Sequence, residues 1–157
     1  MPNYRVHDAI NLTALGMSFV TYSMLANTNV IPSVSGAAMI GYTLSYLAGT
    51  FLVTPDLDLH GSKPKKRWGI FRFLWRPYAT LVPHRSSFSH GWIIGPLTRL
   101  LYLALLTLPL LILTNTVQAS RELAQQYIGW DALTAIVVGY YLSQWMHLIA
   151  DRAPLRP

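Results

Sequence analysis

The sequence predicts an all-α integral membrane protein, four transmembrane helices in an up-down bundle, and three observations carry that expectation. Only 11% of the 157 residues are charged and 52% are hydrophobic, where an average soluble chain carries roughly 25% charge. From Ala9 to Pro55, 47 residues, there is no Asp, Glu, Lys, Arg or His, enough for two bilayer crossings of roughly 20 residues each. Two further apolar runs follow, Leu100 to Val117 and Trp130 to Ala150. A soluble domain of this size needs more polar surface than such a chain can supply. Nine Tyr, five Trp and five Phe exclude intrinsic disorder, and the absence of Cys excludes a disulfide scaffold and every thiolate metal site.

The first helix is expected over 9–27. His7, Asn11, Ala14, Ser18 and Thr21 recur at spacings of three and four, so a small and polar stripe can face neighbouring helices while lipid meets the rest. Arg5 ahead of an apolar stretch also resembles a signal peptide, but no small-x-small cleavage site follows. A turn rich in Asn and Ser with Pro32 leads to the second helix, 34–53, where Gly41, Ser45 and Gly49 form a ladder that lets backbones approach. The third, 92–116, includes Arg99 and should kink at Pro109. The fourth, 130–150, carries Gly139, Ser143, His147 and then Asp151 at successive spacings of four. Residues 1–157 are read as one membrane domain with a single substantial loop, 54–91.

Threading the four crossings puts the N-terminus, that loop and the C-terminus on one side. Arg5, Lys63, Lys65, Lys66, Arg67, Arg72, Arg76, Arg85, Arg152 and Arg156 fall there, ten of the twelve cations, and only Arg121 lies opposite. The positive-inside rule makes that face cytoplasmic, as in a multi-pass protein of a bacterial inner membrane with both termini in the cytoplasm. The same threading gathers all five histidines (His7, His60, His84, His90 and His147) with Asp8, Asp56, Asp58 and Asp151. In a chain so poor in ionisable groups this is the strongest functional signal.

Each part also has a plainer reading. His147 and Asp151, i and i+4 on one helical face, can grip one ion or merely bond each other. Asp56 and Asp58 at a helix C-terminus are mismatched to the helix dipole, which favours a bound cation, though a solvated turn would also hold them. In Pro83-His84-Arg85-Ser86-Ser87-Phe88-Ser89-His90-Gly91, one serine can cap the third helix. That leaves two His and an Arg crowded together, a repulsion that neutral imidazoles on a metal would remove. His60 reads as an ordinary loop residue.

Taken in order, His7, then Pro55-Asp56-x-Asp58, then His84-Arg85 with Ser89-His90, then Gly139-Tyr140-x-x-Ser143-x-x-x-His147-x-x-x-Asp151 resembles the YdjM-like membrane-bound metal-dependent hydrolases. The long PHRSSFSHG form is closer to a branch described only as metal-binding membrane proteins of unknown function. His84 and His90 are one residue further apart than in the family's usual form, and Leu59 stands where the family often has His. The resemblance implies a divalent metal and hydrolysis. Under it His7, Asp56, His84, His90, His147 and Asp151 are the metal ligands, for one or two ions. Zinc suits the histidines, and the carboxylates admit manganese or iron. Asp58 is then the expected general base, and Arg85 the clamp for a phosphoryl oxygen.

The loop adds Lys63, Lys65, Lys66 and Arg67, followed by Trp68, Phe71, Phe73, Trp75 and Tyr78 among Arg72 and Arg76. That mixture suits the headgroup layer, so membrane lipids are expected partners, and an anionic phospholipid or lipid-linked phosphate is the expected substrate if the loop acts beyond anchoring. Nucleic acid is not expected. The metal-free lipid phosphatases that share a His-x-x-x-Asp also need Pro-Ser-Gly-His, absent here. Two readings stay open: a metal-dependent hydrolase of a phosphate ester or lipid-type substrate, and a non-catalytic protein binding metal for structure, sensing or transport.

Overall fold

The computed structural model describes residues 4–151, and among them every regular element is helical. In chain order these are α1 (Tyr4–Asn27), α2 (Gly36–Phe51), α3 (Lys63–Arg67), α4 (Arg76–Leu81), α5 (Ser87–His90), α6 (Ile94–Leu113), α7 (Val117–Tyr127) and α8 (Trp130–Ala150). Short 3₁₀ turns lie at Pro55–Asp58 and Gly69–Trp75. Arg152 and Arg156, counted above among the cations of one face, fall outside the described residues.

Three helices, α1, α6 and α8, are long and apolar enough to cross a membrane. The expected crossing at 34–53 is shorter. Helix α2 has 16 residues, about 24 Å at 1.5 Å per residue against roughly 30 Å of hydrocarbon. Ser35 sets its start, accepting the Ala38 N–H at 3.1 Å, and the chain turns into the 3₁₀ segment at Pro55.

Helices α2 and α8 run in parallel and in register. Gly41 faces Ile136, Ser45 faces Gly139, and Gly49 faces Ser143 and Gln144. A Cβ on Gly139 would stand 2.5 Å from the Tyr42 carbonyl oxygen, so only glycine permits this backbone approach. Helix α1 lies antiparallel to α2. The Tyr46 hydroxyl donates to the Asn11 carbonyl at 3.0 Å, and Tyr42 to Ser18 Oγ at 2.9 Å. The expected polar stripe of α1 is buried at His7 and Asn11, half-buried at Ala14 and Ser18, and exposed by Thr21.

Helix α6 joins this trio through its first turns, where the Tyr140 hydroxyl donates to the Pro96 carbonyl at 3.1 Å. It runs through Pro109 to Leu113, and its far half turns large apolar side chains outward, Leu105 at 73% and Leu113 at 81% exposure. The packing is therefore a tight trio with α6 attached at one end, rather than four evenly packed helices.

The stretch 54–91 is folded, not open. Its short helices close over the ends of α2 and α8, where Val53, Leu57, Trp75, Tyr78 and Tyr140 form an apolar core. Trp75 and Tyr78, expected at the headgroup layer, are fully buried because their rings pack edge to face on each other and against Tyr102. Ile70, Phe71 and Phe73 do face outward. Helix α7, whose polar VQASRELAQQY offers no apolar run, fills what the sequence presents as a connecting loop. An apolar cavity of about 560 Å³ opens between α1, α2 and α8 at the end away from the histidines, lined by Phe19, Tyr22, Tyr42, Trp130 and Val138.

Candidate metal centre

The antiparallel α1 and α2, and the parallel α2 and α8, bring the start of α1 and the ends of α2 and α8 to one place. There the polar side chains meet. His7 comes from α1, Asp56 and Asp58 from the 3₁₀ turn after α2, His84 and His90 from the segment before α6, and His147 and Asp151 from the end of α8. His7 stacks on His147 with ring centroids 4.2 Å apart, and its Nε2 lies 3.3 Å from Asp151 Oδ1. His147 Nε2 is 3.5 Å from Asp151 Oδ2 and 3.6 Å from Asp56 Oδ1. His90 Nε2 is 3.9 Å from Asp151 Oδ2, and its Nδ1 is 3.6 Å from Asp58 Oδ2. Three overlapping groups result: His7, His147 and Asp151; Asp56, His90 and Asp151; Asp58, His84 and His90.

These residues pass a test of fit for a divalent ion. Two donors each about 2.1 Å from a tetrahedral ion stand about 3.4 Å apart, and the contacts around Asp151 and His147 are of that size, too long for good hydrogen bonds. Buried polar atoms without a hydrogen-bond partner concentrate here: His7 Nδ1, His90 Nε2, His147 Nε2 and both Asp151 oxygens. Orphaned buried atoms are costly, and lone pairs facing a shared point are what a cation would satisfy.

Protonation agrees with that. Burial pushes the His90 imidazole down to about 4, so it is neutral near pH 7. Burial raises the carboxyls of Asp56 and Asp151, but bonding to His147, joined at Asp151 by His7, outweighs it and holds both below the ordinary value. A neutral imidazole at His90 and ionised carboxylates at Asp56 and Asp151 are the states a metal requires of those three residues.

Asp58 and His84 differ from the rest. Both Asp58 oxygens lie 3.0 Å from His84 Nδ1, a true hydrogen bond, and the Asp58 side chain is fully buried while that of His84 is 31% exposed. Asp58, the expected general base, is thus bonded to one of the histidines. Arg85 is exposed and holds a left-handed backbone, φ 61°; it bridges no pair of the cluster's residues. His60 is exposed and belongs to none of the three groups, and Asp8 is drawn away by an ion pair with Arg67.

Three residues named in the sequence reading, Ser89, Arg99 and Lys65, have places in the structure that the reading did not assign them. Ser89 Oγ lies 2.8 Å from His90 Nδ1 and 3.3 Å from the Pro83 carbonyl oxygen. With its proton on that carbonyl, Ser89 accepts from Nδ1–H and leaves the His90 Nε2 lone pair facing Asp151. Arg99 is fully buried, donating to the Ser89 carbonyl at 2.6 Å and to Gln144 Oε1 at 2.8 Å. Gln144 in turn donates to the Gly49 carbonyl at 3.2 Å. This chain ties the His90 turn to α8 and to the end of α2. Its only sequence signal was a lone arginine in an apolar run. The third, Lys65, is buried inside what looked like a surface charge run.

Fold and site together describe an all-α chain with a candidate His/Asp metal centre at one end of its long helices. Residues 2–156 match the family described as uncharacterized metal-binding protein (DUF2227), and the chain belongs to that family. A protein of Aquifex aeolicus (strain VF5), itself described only as an uncharacterized protein, is 45% identical over 64 residues, 41% of this chain and 45% of that protein. The match thus spans less than half of that relative. No solved structure matches the chain. Metal binding is the property the family carries, in keeping with the branch that the PHRSSFSHG spacing pointed to; hydrolysis is not part of its description.

Proposed function

We propose that the chain is a membrane-embedded protein that binds a divalent metal ion at the cytoplasmic end of its helices. His7, Asp56, His90, His147 and Asp151 hold the ion, and the Asp58–His84 pair beside them offers a second position. One observation carries this reading: of five His and six acidic residues in the chain, four and three converge from separate segments, and among the described residues His7, His90, His147 and Asp151 keep buried polar atoms there without a hydrogen-bond partner. The mixed nitrogen and oxygen donors suit zinc first, then manganese or iron. The outward leucines of α6 and the one-sided cations support a bacterial inner membrane with both termini in the cytoplasm. Elemental analysis of protein purified without added chelator should find about one ion per chain, or two if the Asp58–His84 position fills. His90→Ala should reduce that content severalfold. Metal-free wild-type protein that also fails to take up zinc or manganese on dialysis would overturn the reading.

A hydrolase remains a second reading, favoured by the half-open Asp58–His84 pair at the rim of an otherwise buried cluster. A divalent ion there would supply Lewis acidity and an activated water. Asp58 would orient His84, and His84 would pass the proton, with a phosphate ester or lipid-type substrate drawn by the cations of the loop. Release of phosphate from phosphatidic acid by metal-loaded wild type, abolished in His84→Ala, supports it; equal background rates from both exclude it for that substrate.

A further inference from the structure

Lys63, Lys65, Lys66 and Arg67 look equivalent in the sequence, a basic run serving orientation. The structure separates them. Lys63, Lys66 and Arg67 are exposed, whereas Lys65 is 4% exposed and its buried Nζ has no hydrogen-bond partner among the described residues. Helix α3 is fixed by Ser62, whose Oγ accepts the Lys65 N–H at 3.4 Å, and it packs on the 3₁₀ turn that carries Asp56 and Asp58. We propose that Lys65 is the anion-binding group of the metal centre, its buried ammonium taking an oxygen of a phosphoryl group presented to the ion. The inference rests on the metal-binding reading above.

A buried ammonium that donates nothing has given up its hydration for no return. Asp58 is the carboxylate whose charge reaches it, pulling its pKa back up against the burial that lowers it. Yet Asp58 bonds His84 and, among the described residues, accepts no hydrogen bond from Lys65, so it serves the ammonium as a neighbouring charge and not as an acceptor. The unused donors of the Lys65 ammonium therefore lie within reach of the Asp58 charge, on a helix packed against the turn that carries Asp56 and Asp58. Charge balance points the same way. Asp56, Asp58 and Asp151 contribute −3, while one divalent ion with the buried Lys65 and Arg99 contributes +4, so a loaded centre favours an anion over a neutral or cationic ligand. A tetrahedral oxyanion can satisfy an ammonium and an ion through different oxygens. Arg85, expected to hold that oxyanion, is exposed, and the buried lysine takes over its role.

The test is phosphate binding by calorimetry to full-length, zinc-loaded protein in phosphatidylcholine nanodiscs, with metal content measured on each sample. Wild type should bind inorganic phosphate. Lys65→Met, or the smaller change Lys65→Gln, should keep its metal and lose at least tenfold in phosphate affinity. Lys65→Arg should stay within a few-fold, and Lys66→Met should match wild type. Phosphatidic acid added to the discs distinguishes the source of the phosphoryl group: competition indicates a lipid headgroup and lack of it a soluble ester, and either accords with the proposal. Wild type that loads metal but binds no phosphate, or Lys65 variants that bind it as wild type does, overturns the inference and leaves the metal reading intact. Wild type that takes up no metal overturns both.

Discussion

The Ser89 hydroxyl has one proton to give, and its destination decides which nitrogen of His90 faces the cluster. Given to the Pro83 carbonyl, it fixes the tautomer that leaves Nε2 bare. Ser89→Ala keeps every donor of the centre but frees that ring to turn. Zinc affinity, read by competition with a chromophoric chelator, should fall about tenfold, the usual effect of losing such support, with secondary structure unchanged by circular dichroism. An unchanged affinity would mean that the ring is held by packing alone. At this scale the sequence was informative where residues were rare. His and Asp are so few that their gathering on one face stood out. Ser89 stood in the His84–His90 motif but its bond to His90 was illegible, and Lys65 was illegible because a lysine among lysines carries no positional mark; burial sets it apart.

Among the elements, α2 and α8 form the contact that aligns the rest, since the Gly41, Ser45, Gly49 ladder meets Gly139 and Ser143 in register. Gly139→Leu must push the helices apart, because the Cβ alone meets the Tyr42 carbonyl oxygen at 2.5 Å. The expected cost is about 1–3 kcal/mol or more, seen as a lower melting temperature in detergent together with weaker metal binding. Gly16→Ala, where an added Cβ meets nothing within 4 Å, should leave both unchanged or raise stability slightly. That ladder was legible because close helix packing demands small residues at intervals of four. The helices inside 54–91 were not. Each is too short to show a period, and what holds Trp75 and Tyr78 is the apolar surface at the ends of α2 and α8, which exists only after those helices have packed. Helix α7 was hidden for a different reason: its composition is polar, so no run of apolar residues announced it.

For the molecule as a whole, the donors belong to four separate stretches of chain, so any ion that binds them favours the folded arrangement over the open one. At a free concentration a hundred times its dissociation constant, such an ion adds about 2.7 kcal/mol. Stripping the protein with a chelator should therefore lower its melting temperature by several degrees, and returning zinc should restore it; a melting curve indifferent to both would show that the cluster is held by its own hydrogen bonds. The whole-molecule arrangement was half legible. Charge-free stretches located the long helices, and the distribution of cations is the basis of the orientation proposed above. The uneven packing, with α6 attached by its first turns, depends on contacts of Arg99, Tyr140 and Tyr102 that no period reveals.

The stacking of His7 on His147 bears on how the protein is made. One ring belongs to α1 and the other to α8, which is synthesised long after it. Until α8 has been synthesised and placed, the first histidine has no partner and the ion no complete set of donors. A chain that stalls before α8 therefore lacks the His7–His147–Asp151 group altogether, and capture of the metal there must follow synthesis of α8. Joining residue 7 to residue 151 also closes a long stretch of chain into one loop, whose cost grows only slowly with length. Late assembly of the centre therefore imposes little more burden than an early one would.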